Sequence, residues 1–446
     1  MSFLIGEHLY NPAKKIFWDP KNVSNPHLMI VGKSGSGKTT LLRKVIEYLD
    51  NENYITFVID FHGDIKTSKE QEFEFTTLNP KYGIGVFEFE KDPIKGGIYN
   101  RVEELLQIFK SVYFENFSPL REAVIKRLLL DVYYVKGFDP DNPKSWDKEI
   151  DKLPTLLDLK KLIKLIKNEI KNFEENREVY SKNIEKMNLI YKKVAQKMVE
   201  TEEEFQKILA QSEEHFSKFL EEITILFNEK EKKFDSIKAI TKKLGIKDFG
   251  FYLQRNVLKS IESIEVYIDA MIESKVFSQH NPVLKRGKKT FRFNLSNLSD
   301  RVMFFMANLI IQRIFNKSRK SFNPEDNRPV ALKTFIVIDE SKLIMPQGKE
   351  KENPFNFLNR IVSESRKFGL GVILVSQRIS HYSEEMLSNI ATKVVLKLSE
   401  NDKKVVKSKI GIKDKKDWEA LNSRPGVAIV MLDEKREIVL LDGFER

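Results

Sequence analysis

The 446-residue chain contains no cysteine, which excludes disulfides, thiolate metal sites and thiol nucleophiles together. Only 6 histidines are scattered through it, none at metal-ligand spacing, so a histidine-built metal centre is not expected either. No stretch approaches the roughly eighteen uninterrupted apolar residues of a membrane helix. The opening MSFLIGEHLYNPAKK lacks a basic region followed by an apolar run and a small-residue cleavage site. The expected location is therefore cytoplasmic, without membrane insertion. Between Thr155 and Leu244 there is neither glycine nor proline, the two residues that most often interrupt a helix.

What is present is a chain that is 41% hydrophobic and 32% charged, long enough for one large α/β domain with an insertion or for two to three domains. Lysine and arginine outnumber aspartate and glutamate by 76 to 65, a formal charge of +11 that favours a polyanionic partner such as nucleic acid. A lysine- and glutamate-rich composition without cysteine also suits the ion-pair networks of heat-stable proteins.

Strand-like runs at Leu28–Val31, Ile55–Ile59 and Gly85–Phe89 bracket a helical pattern at Thr39–Leu49, the alternation expected of a parallel sheet. Across the stretch without glycine or proline, apolar residues recur at helical spacing (Leu159, Leu162, Ile163, Ile166, Ile170, Phe173). Between Ile184 and Ile208 a three-four rhythm suggests a coiled-coil hairpin. Strands return with FRFNL, TFIVIDE, GVILVSQ, KVVLKL, GVAIVML and EIVLLD, while NKSRKSFNPEDNRP (316–329) reads as a surface loop. The expected organisation is an N-terminal segment (1–26), a first part of a nucleotide-binding core (27–100), an all-helical insertion (101–285) and a second part of the core (286–446).

The stretch HLMIVGKSGSGKTTLLRKVIEYL carries the chemistry. Gly32, Lys33, Ser34, Gly35, Ser36, Gly37, Lys38 and Thr39 fit the G-x-x-x-x-G-K-[ST] pattern, in which glycines let the backbone curl and aim N–H groups at phosphate oxygens. A strand precedes the loop and an apolar-periodic helix follows it, so the positive end of the helix dipole joins the site. Lys38 is expected to reach the β- and γ-phosphates of ATP, and the Thr39 hydroxyl to ligate Mg2+. Thr40, the neighbouring hydroxyl, is grouped with the cradle and read as a packing or helix-start residue.

Binding is not hydrolysis, which needs an acidic site at the end of another strand. KTFIVIDESK supplies one: Phe335–Ile338 form a buried strand, Asp339 at its end would hold Mg2+, and Glu340 would polarise the attacking water.

The order of further motifs resembles the HerA/FtsK superfamily of hexameric DNA translocases, in its HerA-like branch related to the conjugation ATPases. FVIDFHGDI (57–65) resembles the family's strand ending in Asp, two residues, Gly and an acid, with Asp60, Gly63 and Asp64 in those places. LNP (78–80), LPTLLDL (153–159), FNLSNLSD (293–300) and RVMFFMANLIIQRIF follow in the family's order. SESRKFGLGVILVSQRISHYSEEMLSNIATKVVLKL (363–398) resembles its block of Arg-Lys-aromatic-Gly, strand, Ser/Thr-Gln-Arg, Asn and final strand. The resemblance covers roughly residues 25–100 and 285–446.

It implies a RecA-like P-loop NTPase core with a mainly parallel sheet, interrupted by the helical insertion. It also implies an ATPase that moves double-stranded DNA as a homo-oligomer, a hexamer, with a nuclease or other effector as partner. The family's usual N-terminal β-barrel has no counterpart before the loop at residue 32, which leaves the partner open. Gln377, at the end of GVILVS, is placed to sense the γ-phosphate or position water, or else to cap the strand. Arg366 is the candidate cation offered to a neighbouring subunit's γ-phosphate, with Arg360 and Arg378 as competitors. His62 reads as a structural polar residue rather than a base. Two alternatives keep their place: a conjugation- or packaging-type motor docking on a membrane or capsid machine, and a nucleotide-dependent switch or scaffold acting through its helical arm.

Overall fold

A computed structural model describes residues 2–444 apart from 93–95, 114–117, 174–234, 279–280, 323–327, 345–356 and 413. The described residues contain one eleven-stranded sheet: β1 (Phe3–His8), β2 (Asn11–Trp18), β3 (Leu28–Val31), β4 (Ile55–Asp60), β5 (Gln71–Thr76), β6 (Thr290–Asn297), β7 (Thr334–Ile338), β8 (Leu370–Ser376), β9 (Thr392–Val395), β10 (Val427–Leu432) and β11 (Lys435–Leu441). Across the sheet the order is β2-β1-β11-β10-β9-β3-β8-β7-β4-β6-β5. From β9 to β5 every neighbouring pair is parallel, and from β9 to β2 every pair is antiparallel.

The parallel half follows from continuous apolar strands buried on both faces: all four residues of β3 and all seven of β8 are buried. Gly371 of β8 stands opposite Phe335 of β7, and a Cβ there would lie 2.2 Å from the Phe335 ring, so the missing side chain lets that ring lie over the neighbouring strand. In the antiparallel half, β10 and β11 meet in a two-residue turn, Asp433–Glu434, with Asp433 in the left-handed region at φ 52°. Helix α1 (Lys38–Asn51) buries Leu41, Leu42, Val45, Ile46 and Leu49, one stripe at helical spacing, in the core formed with β3 and β8.

The chain divides into two compact units, residues 1–86, 104–116 and 271–446 in one and residues 87–103 and 117–270 in the other. The second is helical: among its described residues, helices at Pro119–Val135, 156–173 and 235–244 and most of the helix Val257–Glu273 appear without a strand. Its interior holds Leu128, Tyr133, Phe138, Phe249, Tyr252 and Ile261. It also buries Asp131, which accepts from Arg127 Nε at 3.0 Å and from the Tyr252 hydroxyl at 2.8 Å.

The architecture is thus the expected RecA-like α/β core with a mainly parallel sheet and a helical insertion, and several expectations need correction. Residues 1–26 are not a segment apart, because β1 and β2 form a hairpin that extends the sheet beyond β11. The unit boundaries differ from the expected 100/101 and 285/286. Residues 104–116 fall in the sheet unit, where Phe109 and Tyr113 pack on the Phe305 ring. Gly85–Phe89 form no strand: Gly85 N–H donates to Asn281 Oδ1 at 3.4 Å and Gly85 C=O accepts from Arg313, so at Gly85 side chains take the hydrogen bonds a strand partner would need. The first residues of the expected loop 316–329 continue the helix Asp300–Lys320. The candidate coiled coil at 184–208 lies outside the described residues.

Candidate nucleotide-binding site

The site gathers at the carboxyl ends of neighbouring parallel strands, β3, β8, β7 and β4, where an open α/β sheet exposes its loops. The phosphate loop leaves β3 with its first two amides committed: Gly32 N–H donates to Ser376 C=O at 3.2 Å, and Lys33 N–H to Lys397 C=O at 2.8 Å. A Cβ on Gly32 would fall 2.6 Å from Ser36 Oγ and 2.7 Å from Leu396 Cβ, so only glycine fits where the loop bends back. Gly37 caps α1 at φ 103°, and Gly35 is also left-handed at φ 73°.

Inside this curl the Ser36 hydroxyl is buried without a hydrogen-bond partner. Lys38 is buried, and its Nζ donates to Lys33 C=O at 3.0 Å across the loop. Burial holds the Lys38 ammonium below its ordinary range against the opposing charges of Glu340 and Asp339. An orphaned hydroxyl, a poorly solvated ammonium and a curled backbone at a helix N-terminus fit a phosphate chain. Lys33, Ser34 and Gly35 form the exposed outer side of the loop. Thr39 is half-buried, while Thr40 is exposed, so the packing part of its reading fails and its helix-start part stands.

Asp339 and Glu340 follow β7 directly. Asp339 is buried, and its carboxyl is pushed up to about 6 by burial first and then by Glu340, Asp64 and Asp60. A carboxyl held up by neighbouring anions gains from a hard cation, and Asp339 with the Thr39 hydroxyl offers the oxygen donors that suit Mg2+. Glu340 sits in the left-handed region at φ 48°, ψ 45°, unusual for a residue with a side chain. Its two oxygens meet different partners: Oε1 accepts from Gln377 Nε2, and Oε2 lies 3.3 Å from Lys342 Nζ. The turn behind it is pinned by Ser341 Oγ, which donates to Val375 C=O at 2.9 Å and shares a 2.7 Å hydrogen bond with the buried Tyr382 hydroxyl. Gln377 is therefore joined to the acid pair rather than only capping its strand.

The β4 end adds an element that sequence reasoning read only as a motif. Asp60 is fully buried and accepts the N–H groups of His62 (3.2 Å), Gly63 (2.8 Å) and Ile65 (3.1 Å), which folds the loop and brings Asp64 beside Asp339. Asp60, Asp64 and Asp339 each offer an oxygen within 4.8 Å of the others. Behind Asp60, the fully buried Arg292 of β6 pairs with Asp60 at 3.0 Å, Glu70 at 2.7 Å and Glu72 at 2.7 Å. Sequence reasoning missed Arg292, although a lone arginine inside the apolar run FRFNL is a signal, since a buried charge requires partners. His62 is exposed.

Arg366 is not brought to these residues. It precedes β8, whose seven residues separate it from Gln377 by about 20 Å along the sheet, at the edge where β3 begins. It is exposed there. Arg360 is engaged locally, 3.5 Å from Glu364 and over the Phe315 ring. Arg378 is exposed immediately after Gln377, on the phosphate side.

Comparison with known proteins places these features in a lineage. The family model described as "Helicase HerA, central domain" matches residues 3–314. A 180-residue stretch is 28% identical to the DNA double-strand break repair helicase HerA of Sulfurisphaera tokodaii, covering 39% of this chain and 33% of that protein. A 124-residue stretch is 32% identical to the HerA of Saccharolobus solfataricus, covering 28% and 24%. The chain thus aligns with a third or less of each of these relatives. Among solved structures, VirB4 of Thermoanaerobacter pseudethanolicus shares the fold with a TM-score of 0.65 at 13% identity, over 99% of this chain and 96% of that one. The plasmid coupling protein TrwB in complex with ADP and Mg2+ does so with a TM-score of 0.55 at 12% identity, over 94% and 86%.

Proposed function

The chain belongs to the HerA helicase central-domain family, within the HerA/FtsK superfamily of P-loop ATPases, and from that premise we propose that it is a Mg2+-dependent ATPase that moves double-stranded DNA. The observation that carries the reading is the convergence of three neighbouring strand ends, with the phosphate loop after β3, Gln377 after β8 and the Asp339–Glu340 pair after β7. In this reading Lys38 and the loop amides hold the β- and γ-phosphates, and Thr39 and Asp339 hold Mg2+. When bound, the cation screens phosphate charge. Glu340, fixed by Gln377 and Lys342 with its carboxylate free of metal duty, accepts the proton of the attacking water. Gln377 reports the state of that carboxylate to β8.

Arg366 lies too far from its own phosphate loop to touch it, so in this reading it serves the loop of a neighbouring subunit in a homo-oligomeric ring, a hexamer by resemblance. The excess of basic residues supports grip on DNA phosphates without sequence preference. A nuclease or other effector partner is part of the same proposal. Among the described residues no helix is long and apolar enough to cross a membrane. A conjugation-type motor is the alternative cargo assignment, sharing the fold and the same ATP site.

The test is turnover and nucleotide binding in two variants. Lys38→Ala and Glu340→Gln should each abolish ATP hydrolysis, and Glu340→Gln should retain ATP binding because a neutral amide keeps the contact with Gln377. Normal turnover in either variant removes the site assignment.

A further inference from the structure

Resting on the reading of the loop as a nucleotide site, the inference concerns where the base goes. A purine is flat and weakly hydrated on its faces, and proteins hold such a ring by laying it on an aromatic side chain. After β11 the chain turns at Gly443, φ 83°, and lays Phe444 against the phosphate loop. A Cβ on Gly37 would lie 2.7 Å from Phe444 Cζ, and one on Gly426 would lie 2.3 Å from Phe444 Cγ. Two glycines, one inside the phosphate loop and one just before β10, thus make room for a single ring.

The turn is fastened to the helix that the loop opens. Lys44 of α1 pairs with the Asp442 carboxylate at 2.6 Å and donates to Asp442 C=O at 2.9 Å, while Asp442 N–H donates to Ile5 C=O at 2.9 Å. The Phe444 ring packs on the small cluster of Ala420, Val427 and Leu440 yet is only half-buried, so part of it is exposed next to the first turn of α1. We propose that Phe444 is the platform on which the base of the bound nucleotide stacks, and that the Lys44–Asp442 pair positions it. Affinity for a nucleoside triphosphate over a bare polyphosphate then comes from the turn at 442–444 rather than from the phosphate loop.

The experiment compares wild type, Phe444→Leu and Phe444→Trp by calorimetric titration with ATP and with inorganic tripolyphosphate, both with Mg2+. Leucine keeps apolar volume but has no ring. The expected result is a loss of about tenfold or more in ATP affinity for Phe444→Leu, as for the loss of one base-stacking aromatic, with tripolyphosphate affinity unchanged. Phe444→Trp should keep ATP affinity, with its fluorescence quenched by ATP and not by tripolyphosphate. Equal ATP affinity in Phe444→Leu and wild type, or a parallel loss of both ligands, overturns the proposal, while binding of both ligands by wild type leaves the nucleotide reading standing. Wild-type protein that binds neither ligand removes the nucleotide reading itself, and this inference with it.

Discussion

His27 offers a quantitative test of how the strand bearing the phosphate loop is held. It immediately precedes β3, is 1% exposed, and is fastened on both sides. Its Nδ1 accepts Val372 N–H of β8 at 3.1 Å, and its carbonyl accepts Thr392 N–H of β9 at 3.2 Å. Burial lowers the imidazole from 6.5 to about 4, with a bond to the Val362 backbone opposing and the Arg366 charge assisting. The native state therefore keeps His27 neutral, whereas the unfolded chain protonates it below 6.5. Its contribution to stability is fully present above pH 6.5 and is lost as pH falls from there to about 4. About two and a half pH units at 1.36 kcal/mol each make that loss about 3 kcal/mol.

His27→Asn, which keeps an acceptor but cannot titrate, should be less stable than wild type at pH 8. The gap should shrink by about 3 kcal/mol on going to pH 4, because wild type alone carries this proton linkage. Urea denaturation of both proteins in parallel at pH 8, 6.5, 5 and 4 reads the gap directly. A gap of constant size across that range would refute the reasoning.

Arg292→Met should lower stability by about 3–5 kcal/mol, since it strands the buried Asp60 carboxylate, and Arg292→Lys should restore little because one ammonium cannot serve three carboxylates; denaturation midpoints decide. Gln377→Leu should reduce the ATP turnover number by about 10- to 100-fold while leaving nucleotide affinity nearly unchanged, matching the loss of a hydrogen bond to a charged group; unchanged turnover would separate Gln377 from the chemistry. Gly35→Ala, at φ 73° with nothing within 4 Å, should cost about 1–2 kcal/mol in thermal denaturation. Gly37→Ala should cost clearly more, because its Cβ also meets the Phe444 ring; equal losses would contradict the packing described.

The phosphate loop was legible because its chemistry occupies eight consecutive residues between a strand and a helix. The acid pair was legible because TFIVI can only be a buried strand and Asp339–Glu340 end it. Strand β5 escapes sequence reasoning although QEFEFT alternates charged and aromatic residues, and β2 escapes it because the exposed NPAKK of an edge strand carries no apolar period. Gly85–Phe89 is the opposite case: its residues are strand-like, but Arg313 and Asn281, distant in sequence, take the backbone of Gly85. The same distance hid Arg292, whose partners Glu70 and Asp60 lie 222 and 232 positions away. The left-handed backbone of Glu340 has no sequence signature, because no glycine marks it and the contacts of Ser341 and Gln377 that accompany it join residues distant in sequence.

The proposed motor requires that hydrolysis at this loop be coupled to DNA. The most direct measurement is ATP turnover of the wild-type protein with and without duplex DNA across a salt series, with Lys38→Ala as the control. Turnover should rise on adding DNA, and the stimulation should fall steeply between about 50 and 200 mM salt as phosphate contacts are screened. Turnover lost in Lys38→Ala, yet indifferent to DNA of any form at every salt concentration, would leave an ATPase and contradict the DNA motor.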